Sequence, residues 1–493
     1  GESKYDGDEG IFDAFTEAPE IIVGLLALAA VVSVIWVVLL RFFSKPIVIL
    51  TEVIKVGVFV YMGIVQENTG TRVLCFFIAV GIIAYDFWTR KEIMFAASIL
   101  EYSTIALREN PAMFVGCIFI KLFYVLNAFL FVLFYSRAFN VVEIRSMTSY
   151  CDLEGNCMEQ CVWHYPDYVS KMSVFLSLAY LWSVVLFAKM RLSVIATIVG
   201  SWHFHPMDKP GVFRAVINSI TTSVGTLAVS SLISTIAERI NRHLQEPCWR
   251  SWLGPAFCIT LPLQLFLCCF GQCLETLVRM LTKFAVILHV FTGLPFLGSA
   301  KKVFKIMSRH FKGGFVTEVT SSGVLNLGAY VFSICIALLS WVWLDDRFDC
   351  STMPGGTDAT YVVAFIILGL FNLWYPVLGI YIIILINRFL RTFTWTDLET
   401  GENVYFQHLW VNPLAAIFVG CIAMMFFSYI AAIFLDTVDV LFLCHAIDKD
   451  NNVDLSDDQF ESLIKTLPGY VEADERTVDE VFDEQEEVRA QRV

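Results

Sequence analysis

Long apolar stretches recur along the chain, each near the length that crosses a bilayer. They run from Ile21 to Leu40, Ile47 to Val65, Val73 to Trp88, Ala112 to Tyr135 and Met172 to Met190. Further runs follow at Phe213 to Ile236, Phe284 to Leu297, Gly323 to Leu344, Tyr361 to Ile386 and Leu414 to Leu435. A hydrocarbon core takes about 20 residues of helix, so the pattern predicts an all-α polytopic integral membrane protein with about ten transmembrane helices. Barrel strands would alternate apolar and polar positions in segments of about ten residues, whereas these runs are continuous. The organisation expected is an acidic exterior segment at 1–20, a transmembrane domain at 21–444 and an acidic C-terminal tail at 445–493.

Composition supports this reading. Hydrophobic residues make up 57% of the chain and charged ones 16%, with a mean hydropathy of +0.67, a surplus that must face lipid. The formal net charge of −13 comes largely from Glu2 to Glu20 and Asp448 to Glu487, outside the apolar runs. There is no basic stripe for nucleic acid. The tail reads as a solvated segment or as a docking segment for protein partners.

Lysine and arginine in short loops set orientation. Arg41 and Lys45 follow the first run, and Arg90, Lys91 and Arg108 flank the segment after the third; Gln66 to Gly70 carries none. The N-terminus is therefore expected outside, and Lys301, Lys302, Lys305, Arg309 and Lys312 inside. Arg239, Arg242 and Arg250 also argue for the inside, which conflicts with a simple count and suggests one re-entrant segment within Phe213 to Leu297. Met172 to Trp202, with Lys189 and Arg191 inside it, is either one long tilted helix or a span continuing beyond the membrane.

Cys151, Cys157, Cys161 and Cys350 fall in two polar loops expected on the exterior, where an oxidising compartment would allow disulfides, including one between the loops. The other cysteines lie in or near apolar runs as small hydrophobes.

Ionisable residues at lipid depth are costly unless paired or hydrated. Glu52 and Lys55 stand three apart on one helical face and can pair with each other. Lys121 needs a carboxylate or water, with Glu52, Asp86 and Glu101 as candidates, and Glu275 is followed by Arg279 at i, i+4. The stretch Asn218 to Thr235 is rich in hydroxyls, suited either to close helix packing or to lining a polar pathway.

Other chemistry is not supported. His203 and His205 do not share a helix face, and Cys268, Cys269 and Cys273 lack zinc-ribbon spacing, so no metal site is expected. Asp448 to Gln459 begins like a calcium loop but has Val453 where the turn needs Gly and Gln459 where a bidentate Glu belongs. No phosphate-binding Gly loop, nucleophile elbow or zinc-protease helix occurs, so neither an enzyme nor a cofactor is expected.

Five segments then occur in a telling order: ATIVGSWHF from Ala196, SVGTLA from Ser223, CCFGQCLE from Cys268, GSAKKVF from Gly298 and DTVDVLFLC from Asp436. Their order and spacing resemble the choline transporter-like solute carrier family, best over about 172–454 and more weakly back to Leu39. The chain departs from that pattern at Ser223 to Thr226, at Lys283 to Ile287, and in an apparent extra hairpin over Tyr361 to Asn412.

The resemblance implies transport of choline or a related small organic cation by alternating access, in the plasma membrane or an organellar membrane. A quaternary ammonium donates no hydrogen bond, so its recognition rests on aromatic faces and a carboxylate. Within the family-like core, Tyr180, Trp182, Ser223, Thr226 and Glu275 are the expected substrate-binding group. The alternative is a structural or accessory membrane subunit that keeps the fold without transport, for which the departures are the motive.

Overall fold

A computed structural model describes residues 19–66, 69–139, 143–151, 157–164, 166–204, 211–245, 257–348, 394–396, 403–405 and 407–450. Ten helices and two short hairpins occupy them. The helices are α1 (Pro19–Val65), α2 (Thr69–Trp88), α3 (Arg90–Glu109), α4 (Ala112–Phe139), α5 (Asp167–Phe204), α6 (Val212–Ile220), α7 (Val224–Gln245), α8 (Phe257–Thr292), α9 (Phe296–Phe348) and α10 (Gln407–Asp450). Strands β1 (Glu143–Cys151) and β2 (Cys157–His164) form one antiparallel hairpin, and β3 (Thr394–Thr396) and β4 (Asn403–Tyr405) the other.

Six of these helices are long and apolar enough to cross a bilayer, or up to eight when two bent pairs each count as one span. The protein is a multi-pass α-helical membrane protein. The run Tyr361 to Ile386, the acidic segment before residue 19 and the tail after 450 lie outside the described residues.

The first two apolar runs join without a loop. Within α1 only Phe43 leaves helical geometry, at φ −125° and ψ 24°. Pro46 explains the kink: it has no N–H for the carbonyl four residues back, and its ring crowds that carbonyl. The long stretch from Met172 is a single helix, α5, of 38 residues.

The chain forms two units. The first holds α1, α2, α3 through Ile105, α9 from Lys312 and α10 through Val438. Its core packs Ala29 of α1, Ala329 and Ile336 of α9, and Leu414, Ile417, Cys421 and Phe427 of α10. Small residues let these helices approach, as membrane packing requires. A Cβ on Gly328 would stand 2.6 Å from the Trp36 ring, so only glycine admits that indole. Glu52 binds Lys55 at 2.8 Å, as their spacing allows, and Lys55 Nζ rests against Gly323. Ser44 donates to the Glu101 carboxylate at 3.4 Å.

The second unit holds α4, the β1–β2 hairpin, α5 to α8, α9 through Phe311 and the end of α10 from Asp439. Helix α5 is its spine, packed by α4, α6, α7 and α8. In the hairpin Cys151 pairs in register with Cys157 and Cys161 with Ser146. Cys350 lies outside the described residues, so the expected bridge between loops does too.

Candidate functional site: a broken span in the second unit

The apolar run Phe213 to Ile236 is not one helix. It divides into α6 and α7, whose axes differ by 65°. The sequence-level conflict over this region thus has a structural counterpart.

Side-chain hydroxyls bond to the backbone at the break. The Thr221 hydroxyl donates to Ile217 O at 2.7 Å and that of Thr222 to Asn218 O at 2.8 Å. Hydroxyls that bond carbonyls one turn back compete with the helix ladder and bend it. The backbone N–H of Ser223 reaches Asn218 O at 3.0 Å, and α7 begins with Leu227 N–H on Ser223 O at 3.0 Å. Thr221 and Thr222 are exposed, while Ser223 and Thr226 are half-buried. Interrupted helices leave backbone carbonyls and N–H groups at membrane depth, where transporters use them to meet substrates and ions.

Beyond the break, α7 is fastened by its small polar face. Trp182 of α5 donates its indole N–H to Ser231 Oγ at 2.8 Å and to Ala228 O at 3.3 Å. Ser230 donates to Thr282 O at 3.2 Å, and Ser234 and Thr282 share a hydroxyl contact of 2.9 Å. Lys189, buried in α5, donates to Thr282 Oγ1 at 3.3 Å. Part of the hydroxyl-rich stretch is therefore interhelical glue.

The five expected substrate-binding residues do not converge on one point. Trp182 meets α7 at Ala228 and Ser231. Tyr180, two residues earlier, turns to α4: its hydroxyl lies 3.3 Å from that of Tyr124 and its ring stacks on Phe131 at 4.2 Å and 16°. Asn127 adds a bond to Ser183 Oγ at 2.9 Å, and Lys121 Nζ sits 4.6 Å from the centre of the Tyr124 ring.

Glu275 stands apart from the other four. Its carboxylate binds Asn241 near the far end of α7 and Arg279 on its own helix. At the helical rise, Asn241 stands roughly 25 Å along α7 from the break, too far for Glu275 to share a small cavity with Ser223 and Thr226.

Sequence reasoning missed Tyr124 and Phe131 as ring partners of Tyr180, and Asp439 as the partner of Lys283. His203, set aside in the sequence as a metal ligand, has its Nε2 2.7 Å from Asp448 Oδ2, with 3% of the His203 side chain exposed. Among the described residues no group of three or more His, Cys, Asp or Glu is placed to hold a metal ion.

A multi-pass helical protein with a span interrupted by hydroxyl-bearing residues has the architecture of a membrane transporter. The family model described as plasma-membrane choline transporter matches residues 73–450, and the chain belongs to that family. Protein PNS1 of Cryptococcus neoformans is 22% identical over 365 residues, which cover 70% of this chain and 63% of that protein. A CTL-like protein of Dictyostelium discoideum is 22% identical over 80% of this chain and 73% of its own length. Choline transporter-like protein 2 of Xenopus laevis is 23% identical over 66% of this chain and 55% of its own. The chain spans less than two thirds of the PNS1 and Xenopus relatives.

Proposed function

We propose that this protein carries choline or a related small organic cation across its membrane by alternating access about the α6–α7 break. The single observation that carries the reading is the interruption itself: a lipid-length segment gives up its helix at Thr221 to Ser223, beside half-buried Ser223 and Thr226. The C-terminal end of α6 presents carbonyls, the partially negative end of a helix dipole, which favours a cation. Trp182 supplies an aromatic face against α7, and a quaternary ammonium gains from such a face. The names of several relatives speak of choline, in keeping with this substrate class.

A second reading, an accessory subunit without transport, draws on the Glu275 carboxylate being already bound by Arg279 and Asn241 rather than open to a substrate. Uptake of radiolabelled choline by the purified full chain in liposomes separates them. Transport predicts saturable uptake that excess unlabelled choline suppresses and that Thr226→Val impairs. Uptake equal to that of empty liposomes, from folded protein, favours the accessory subunit.

A further inference from the structure

After α8 the chain turns sharply. Gly293 takes φ +71°, a conformation that favours glycine, and Pro295 follows just before α9. The axis of Phe296–His310 is bent by 111° from that of Phe270–Thr292, so the first turns of α9 run across the direction of α8.

Two faces of this stretch differ. Phe296, Ser299, Val303 and Met307 form a buried stripe at helical spacing, exposed by 9%, 0%, 0% and 2%. On the opposite side Leu297, Lys301, Phe304 and Lys305 are exposed, with Lys302 half-buried at the margin. Leu297 is 80% exposed and Phe304 64%, large values for apolar side chains lying among lysines. No acidic residue occurs between Phe296 and Thr317; Arg309 is held by Asp450 at 3.2 Å and Lys312 by Glu92 at 2.7 Å, which leaves Lys301, Lys302 and Lys305 as the charge of this face.

We propose that this outward face docks anionic phospholipid headgroups of the cytoplasmic leaflet. The lysines lie just before the apolar span Lys312–Trp343, and basic residues close to a span end mark its cytoplasmic side, where anionic lipids attract them. Leu297 and Phe304 make the occupant a lipid rather than a dissolved anion, because an interfacial helix sinks such side chains toward the acyl boundary while its cations stay at the headgroups.

The test is native mass spectrometry of the purified full chain titrated with phosphatidylserine or with phosphatidylcholine of the same acyl chains. Phosphatidylserine adducts should form at about tenfold lower lipid concentration than phosphatidylcholine adducts. Lys301→Gln with Lys302→Gln and Lys305→Gln should abolish that preference; if this variant melts earlier than the parent, Lys301→Gln with Lys305→Gln, both exposed, replaces it. Leu297→Gln with Phe304→Gln should weaken phosphatidylserine binding severalfold. Equal binding of the two lipids, an undiminished preference in the lysine variants, or displacement of phosphatidylserine by soluble phosphoserine at the same concentration overturns the proposal.

Discussion

Lys283 of α8 and Asp439 of α10 form an ion pair in the second unit with only 11% and 2% of their side chains exposed. Breaking such a pair from one side costs about 3–5 kcal/mol, because the surviving charge is left buried, whereas replacing both partners by neutral groups can be nearly neutral. Lys283→Met and Asp439→Asn should each lower the melting temperature of the purified protein, and the double variant should recover most of the loss. A double variant no more stable than the worse single one would mean that the pair does not act as a unit.

Trp182 tests the aromatic part of the proposed site. Removing its ring in Trp182→Ala should weaken choline binding by about 30-fold, the equivalent of a desolvated cation–π contact of ~2 kcal/mol. Trp182→Phe should be milder. Ser231→Ala removes one indole acceptor but leaves Ala228 O and the ring in place, so its affinity should stay near that of the parent. Calorimetric titration with choline on the three variants checks the order, and unchanged affinity in Trp182→Ala would remove this residue from the site.

At the break between α6 and α7 two hydroxyls bond back to the last turn of α6. Thr221→Val with Thr222→Val removes both side-chain bonds to Ile217 O and Asn218 O while keeping the shape of the side chains. Choline uptake in liposomes should fall several-fold, with the melting temperature shifted little because both residues are exposed. Full uptake in this variant would show that the hydroxyls do not maintain a working interruption.

Gly200 faces Phe291, and a Cβ there would stand 2.3 Å from the ring. Gly200→Ala should destabilise by about 1–3 kcal/mol through overpacking, seen as a lower melting temperature. Adding Phe291→Leu should restore part of it by vacating the space. A Gly200→Ala protein that melts with the parent would mean that the ring moves aside at little cost.

What could be read from residues followed how local the cause was. The Glu52–Lys55 and Glu275–Arg279 pairs were legible because one helix turn fixes which positions meet. The hydroxyl-rich stretch was legible as unusual but open in meaning: Ser230, Ser231 and Ser234 bond to neighbouring helices, the packing role, while Thr221 and Thr222 sit at a helix break that the sequence reading did not locate. The substrate group read from the sequence came apart for the same reason. Tyr180 and Trp182 are two residues apart, and on a helix that spacing sends side chains to different sides, one to α4 and the other to α7.

The sequence alone determined that this chain lives in a membrane as a bundle of helices, because in lipid each span must satisfy its own backbone and face hydrocarbon, demands written into every run of residues. Tertiary structure decided which polar groups meet. His203 and Asp448 are 245 residues apart, and Trp182 and Ser231 are 49 apart. Their contacts exist only because particular helices pack side by side, and between membrane helices that choice depends on close fit and a few hydrogen bonds rather than on hydrophobicity, which every span shares.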